Sequence, residues 1–171
     1  GYYNSNFPFG KKGDFITAPT ISRLYSEIIA IWMVSTWEIF GKPKNFNIVE
    51  LGPGDGSFIK ILLDVSKKFP KFNSSKNIYL YETSKFLKKI QKKNIKNSKI
   101  KWISNFKAID NGPVIFFGNE FFDAIPIKQF KVKDNTLNEK YFILEKNNKI
   151  KVSFRNAKKD DIKNIKSFKI L

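Results

Sequence analysis

The sequence predicts an α/β fold, a parallel sheet with helical crossovers followed by an antiparallel meander. Three observations predict it. A β-rich run, Asn47-Ile48-Val49-Glu50-Leu51, leads directly into Gly52-Pro53-Gly54-Asp55-Gly56 and then into helical spacing, the first half of a βαβ unit. Four β-rich runs recur with helical or loop segments between them, as in a parallel sheet covered on both faces. After residue 126 the pattern becomes two-residue alternation with Asn- and Asp-rich turns, the pattern of a meander.

The elements follow in chain order. Gly1, Pro8, Gly10, Gly13 and Pro19 make the first twenty residues a turn-rich approach. A helix is expected over residues 19–40, with Ile21, Leu24, Tyr25, Ile28, Trp32, Ser35 and Ile39 at three- and four-residue spacing. Pro19 suits its first position, Gly41-Lys42-Pro43 stops it, and its apolar circumference implies more than one neighbour. The first strand covers 47–51. Phe58, Ile61, Leu62 and Val65 place a helix over 57–69, and a second strand fits 77–82. A Lys-rich helix fits 84–94, a third strand 99–104 and a fourth 113–118. Runs over 127–132, 141–144 and 150–154 form the meander, with turns at Asp134-Asn135 and Asn147-Asn148, and a helix is expected to begin in the tail 158–171. No internal repeat or long linker divides the chain. The expectation is one domain over 1–171, with an N-terminal segment and helix (1–46), a ligand-binding core (47–126) and the meander (127–156).

Composition narrows the chemistry. The 171 residues contain no Cys and no His, which excludes disulfides, thiol nucleophiles, Cys or His zinc sites and His-assisted serine chemistry. No metal site is expected. Carboxylates, hydroxyls, amides, Lys, Tyr or a reactive cofactor must do the work. The formal net charge of +17 ordinarily points to nucleic acid or an anionic surface. Only Arg23 and Arg155 are arginines, however, and the chain is also rich in Asn and Ile, so A/T-rich codon usage accounts for the Lys excess. No leader is visible, and the apolar stretch over residues 28–40 is too short and interrupted to span a bilayer, which needs about 20 residues. The expectation is a soluble intracellular protein, and the absence of an initiator Met fits a fragment.

The glycine turn is the most informative segment. Glycines between strand and helix admit positive φ and let a ligand approach the main chain, while the next helix points its first amides at that ligand. Gly52, Pro53, Gly54 and Gly56 are therefore candidate ligand-binding residues. Ser57 stands where a dinucleotide fingerprint has its third glycine; being small, it leaves that alternative open. A phosphate-binding P-loop would need Gly-Lys-Ser/Thr after the turn, which is absent. Glu50 before the loop and Asp55 within it would repel a pyrophosphate, so a cationic or zwitterionic ligand with an amino group and a ribose fits better. S-adenosylmethionine is such a ligand. Glu82, at the end of the second strand, is placed to accept both ribose hydroxyls. Asn119, Glu120 and Asp123 follow the fourth strand and face the same crevice; Glu120 and Asp123 are the candidate general base or cation-orienting pair. The alternative is that these two carboxylates only cap the turn that follows.

Three blocks, Gly10-Lys11-Lys12-Gly13-Asp14-Phe15-Ile16-Thr17-Ala18-Pro19, Val49-Glu50-Leu51-Gly52-Pro53-Gly54 and Asn119-Glu120-Phe121-Phe122-Asp123-Ala124-Ile125-Pro126, resemble the MidA-like family in composition and order. Its eukaryotic members are mitochondrial protein arginine methyltransferases that assist assembly of respiratory complex I. The resemblance implies a Rossmann-like class I S-adenosylmethionine-dependent methyltransferase. It also implies that Glu50, Gly52 and Gly54 form the cofactor loop, that Glu82 binds the ribose, and that Thr17 and Pro19 help close the pocket. Glu120 and Asp123 match the post-strand block, and carboxylates there can hold an acceptor guanidinium bidentately. Asp55 departs from the family's usual Arg. Family members are considerably longer, so the sheet is expected to lack its C-terminal strands.

The resemblance implies a protein substrate, a respiratory-complex subunit among the candidates, and a bacterial cytoplasmic or eukaryotic matrix location. Two alternatives stand beside it. One is a nucleic-acid N-methyltransferase, since Asn119-Glu120-Phe121-Phe122 sits where such enzymes carry Asn-Pro-Pro-Phe and Lys85, Lys88, Lys89, Lys92, Lys93 and Lys96 could track phosphates; the missing prolines disfavour it. The other is a non-catalytic, cofactor-binding assembly factor that engages a partner through its meander.

Overall fold

The computed structural model describes residues 22–168 apart from Ser98. The chain divides into two compact units, residues 1–124 and 125–171, close to the point where the sequence period changes.

In the first unit, helix α1 covers Arg23–Ile39. It begins later than the proline signal implies. Ser22 is its N-cap, accepting the Tyr25 N–H on its hydroxyl at 3.4 Å, while Pro19 lies outside the described residues. The buried side also differs from the expected stripe. Ala30, Met33, Val34 and Trp37 are buried, whereas Leu24, Ile28, Trp32 and Ile39 are exposed. Apolar residues surround this helix, so spacing alone does not select the face that meets the sheet.

Strands β1 (Phe46–Leu51), β2 (Lys76–Tyr81), β3 (Lys101–Ile103) and β4 (Val114–Phe117) form a parallel sheet in the order β3-β2-β1-β4. The crossover from β1 to β2 contains α2 (Ser57–Ser66) and α3 (Pro70–Ser75). The expected helix over 57–69 is shorter than predicted: α2 ends at Ser66, and Pro70 opens a separate short helix beyond the expected range, at a position that tolerates a missing N–H. Helix α4 (Lys85–Ile95) joins β2 to β3, with Ser84 capping it through the Leu87 N–H.

Register explains how the core divides. Phe46 and Ile48 of β1 point into the main core with Met33 and Trp37 of α1, Phe58 and Leu62 of α2, and Ile95 of α4. Val49 and Leu51 point the other way, into a small cluster with Tyr79 and Ile103. The expectation of a sheet covered by crossovers on both faces therefore holds unevenly. Successive right-handed crossovers from β1 through β2 to β3 place their helices on one face. The return to β4 carries only the 3-10 turn Phe106–Ala108, whose Phe106 meets Phe116 edge-on at 5.3 Å, and Phe116 stays half exposed.

In the second unit, β5 (Phe130–Lys133), β6 (Thr136–Leu144) and β7 (Ile150–Asn156) form an antiparallel sheet, followed by α5 (Lys159–Ser167). Asp134 and Asn135, both at positive φ, make the two-residue β5–β6 turn, as their sequence predicts. Leu137 and Glu139 are buried on one face of β6, where the Glu139 carboxylate accepts the Tyr141 hydroxyl at 2.7 Å. Phe142, Leu144, Ile150 and Val152 lie exposed on the other.

Candidate functional site

In an open parallel sheet the ligand crevice lies beyond the carboxyl ends of the strands, where neighbouring connections leave in opposite directions. Here that point is between β1 and β4, and the glycine loop leaves β1 at this edge. Gly52, Gly54 and Gly56 take φ of 63°, 54° and 85°. L-residues with a side chain rarely adopt these values, so the turn requires glycine for backbone reasons alone. Packing adds a second constraint at Gly52, where a Cβ would come within 2.7 Å of Phe121 Cδ2. The loop is also hydrogen-bonded internally and to β2. Gly56 N–H donates to Pro53 O at 2.8 Å, and Gly52 N–H donates to Tyr81 O at 3.0 Å. Asp55 accepts the Ser57 N–H on Oδ1 at 2.9 Å and so binds one of the first amides of α2.

Glu50, next to last in β1, is 5% exposed. Its Oε2 is buried and meets no hydrogen-bond partner among the described residues. Burial, and then the charge of Asp55, pushes the Glu50 carboxyl up to about 8. A buried carboxyl with an unused oxygen beside a glycine loop has the right chemistry to receive a cationic amino group. Glu82 lies one residue beyond β2 and is also buried. Its Oε1 accepts the Ser84 N–H at 2.8 Å and its Oε2 accepts Gln91 Nε2 at 3.1 Å, which fixes the plane of the group. A carboxylate accepts about four hydrogen bonds, so these two leave capacity for a diol.

After β4, Asn119 accepts the Tyr25 hydroxyl of α1 on Oδ1 at 3.1 Å, which ties the post-strand block to the first helix. Phe121 lies across Gly52 and meets Tyr81 edge-on at 6.3 Å, forming an aromatic wall at the loop. Glu120 and Asp123 are exposed and form no ion pair among the described residues. Glu120 takes φ 51°, a left-handed conformation that costs a non-glycine residue about 1 kcal/mol. The structure thus brings Glu50, the glycine loop, Glu82 and Asn119 to one edge of the sheet, with Glu120 and Asp123 in the loop that follows β4. Thr17 and Pro19 lie outside the described residues. No group of three or more acidic side chains that could hold a metal ion occurs among the described residues.

This arrangement can be compared with known proteins. Residues 28–169 match the family described as "Putative S-adenosyl-L-methionine-dependent methyltransferase". The chain belongs to this family. Among curated proteins, the Drosophila melanogaster protein arginine methyltransferase NDUFAF7 homolog is 32% identical over 161 residues, covering 81% of this chain and 37% of that protein. The Caenorhabditis elegans homolog is 35% identical over 159 residues, covering 81% and 37%. Human NDUFAF7 is 30% identical over 155 residues, covering 77% and 35%. All three are named mitochondrial proteins. The fold matches a Burkholderia thailandensis crystal structure described as a "likely methyl transferase" bound to S-adenosyl-homocysteine, with a TM-score of 0.71 and 18% identity, over 96% of this chain and 44% of that one. The chain therefore spans little more than a third of these curated relatives and less than half of the solved structure. No helix among the described residues is long and apolar enough to cross a membrane.

The roles of two residues are missing from the sequence reading. Phe121, although it lies inside the post-strand block, is one; its glycine contact becomes visible only once β4 stands beside β1. The other is Gln91, fully buried in α4. A local signal for it exists: in the stripe Leu87, Gln91, Ile95, spaced by four residues, it is the one polar member.

Proposed function

We propose that the protein is an S-adenosylmethionine-dependent methyltransferase acting on a protein arginine. The observation that carries this reading is the pair of buried carboxyls, Glu50 and Glu82, flanking a positive-φ glycine loop at the β1/β4 edge. The residues fit the cofactor. Gly52, Pro53, Gly54 and Gly56 let its body approach the main chain, Glu50 Oε2 receives the amino group, Glu82 accepts the ribose hydroxyls, and Asn119 borders the pocket. Thr17 and Pro19 are assigned to its closure on the resemblance alone. Bound there, the cofactor supplies an electrophilic methyl sulfonium.

The chain's own residues supply position and charge. Glu120 and Asp123 accept N–H groups of the acceptor guanidinium, leave one nitrogen free to receive the methyl group, and take up the proton that nitrogen loses. Carboxylates suffice for this, and the chain has no His or Cys to offer instead. The names of the relatives support arginine as acceptor, and the resemblance supports a respiratory-complex subunit as the protein that carries it. They also support the mitochondrial matrix as the compartment in a eukaryote; the bacterial counterpart is the cytoplasm.

Two measurements test this reading. Calorimetric titration with S-adenosylhomocysteine should show saturable 1:1 binding, and absence of heat at millimolar ligand refutes the cofactor assignment. Transfer of labelled methyl groups should place label in protein, recovered as methylarginine after hydrolysis. Label found only in RNA or DNA refutes the acceptor assignment and leaves the cofactor site standing.

A further inference from the structure

Gln91 is 0% exposed, and each side of its amide is used. Nε2 donates to Gly54 O at 2.9 Å and to Glu82 Oε2 at 3.1 Å, while Oε1 accepts the Trp102 indole N–H at 2.9 Å. The indole nitrogen is only a donor, so it must face the amide oxygen. That contact sets the orientation of the group and turns its two N–H donors towards Gly54 and Glu82. The two acceptors belong to separate elements, the loop after β1 and the end of β2.

Helix α4 holds the loop at the next two residues as well. Asn94 Nδ2 donates to Asp55 O at 3.0 Å, and Ile95 Cδ1 fills the space where a Cβ on Gly56 would come within 2.8 Å. Residues 91, 94 and 95 share one helical face and meet loop residues 54, 55 and 56 in order. Of these contacts, the one at Gln91 also reaches an acidic side chain of the candidate site.

We propose that Gln91 is a positioning residue that locks the Glu82 carboxylate to the Gly54 carbonyl, so that the ribose-binding acid and the glycine loop form one preorganised unit oriented by Trp102. The proposal rests on the reading that Glu82 receives the ribose diol. Without Gln91, Glu82 Oε2 and Gly54 O lose their common donor, and the carboxylate plane is held only from the Ser84 side. The consequence is a loss of selectivity for the diol, which a merely structural glutamine would not control.

The experiment compares S-adenosylhomocysteine with its 2′-deoxy analogue by calorimetric titration, in the wild-type chain, in Gln91→Met and in Trp102→Phe. Met keeps the length of the side chain and removes all three hydrogen bonds. Trp102→Phe leaves Gln91 in place, removes the donor that orients it, and serves where Gln91→Met does not fold. A hydrogen bond to a charged group corresponds to about ten-fold or more in affinity, so the wild type should prefer the diol by about that factor. In Gln91→Met the preference should fall to about two-fold or less, with Trp102→Phe intermediate. Either variant binding S-adenosylhomocysteine more weakly while keeping the full preference overturns the proposal, as does unchanged binding. A wild type that binds both ligands equally overturns the ribose reading and the proposal with it, while a Glu82→Gln variant that loses the preference when Gln91→Met keeps it overturns the proposal alone.

Discussion

Replacing Glu50 with Gln removes a buried ionisable group at the foot of the glycine loop while keeping its shape. In the folded chain the Glu50 carboxyl is pushed up to about 8 from an ordinary value of 4.5, through burial and then the charge of Asp55. Between those two values the folded state keeps a proton that the unfolded state has released. Stability therefore falls as pH rises through this window, by about 1.4 kcal/mol per pH unit, and levels off above it. At neutral pH the accumulated cost is about 3 kcal/mol, an upper bound because water reaching the loop shares it. Glu50→Gln does not carry this cost. For a chain of this size about 3 kcal/mol corresponds to a gain of roughly 10 °C in melting temperature near pH 7. The difference between variant and wild type should vanish near pH 4.5, grow with pH and reach its plateau above about pH 8. Circular-dichroism melts of both chains across that range measure it. The variant should also bind S-adenosylhomocysteine more weakly, having lost the group assigned to the ligand's ammonium. A melting difference that stays flat with pH would show that Glu50 is already ionised in the free chain and would refute the reasoning.

Gly52→Ala combines left-handed strain with a contact of 2.7 Å to Phe121 Cδ2, so the loop or the aromatic ring must move. Urea denaturation should show a loss of about 1–2 kcal/mol, with S-adenosylhomocysteine binding reduced by more than that loss explains. Wild-type values for both would mean that the loop conformation is not what binds the ligand. Glu120→Gln and Asp123→Asn are expected to lower methyl transfer by about ten-fold or more while leaving the cofactor dissociation constant within about two-fold. Equal loss in binding and transfer would place these carboxylates at the cofactor and remove their acceptor role.

Much of the cofactor edge is legible locally. Strand β1, the glycine turn and α2 announce themselves over residues 46–66, because a β-rich run, positive-φ glycines and a helical repeat are all short-range properties. Ser84 marks the start of α4 for the same reason, since a cap is a hydrogen bond to residues two or three positions on. The end of α2 at Ser66 and the short helix after Pro70 went unread because the apolar spacing continues from Val65 to Phe69 and Phe72. The face of α1 went unread because apolar residues occur all round it, and the face that packs is chosen by the sheet and by α3, through Phe46 of β1, Phe72 of α3 and their neighbours.

By itself, then, the sequence determined the α/β class, the strand and turn that carry the glycine loop, and a chemistry without His or Cys, left to carboxylates, hydroxyls, amides, Lys, Tyr or a bound reactive group. The tertiary structure decided which of those carboxylates stand together and in what state. Glu50 is shut away from water with one oxygen unpaired among the described residues, Glu82 is held from two sides, and Gln91 connects Glu82 to the loop across nine and thirty-seven residues of chain. The physical reason is range. Periodicity, capping and backbone handedness act over a few residues, whereas burial and a shared hydrogen bond depend on segments that meet only after the sheet has formed.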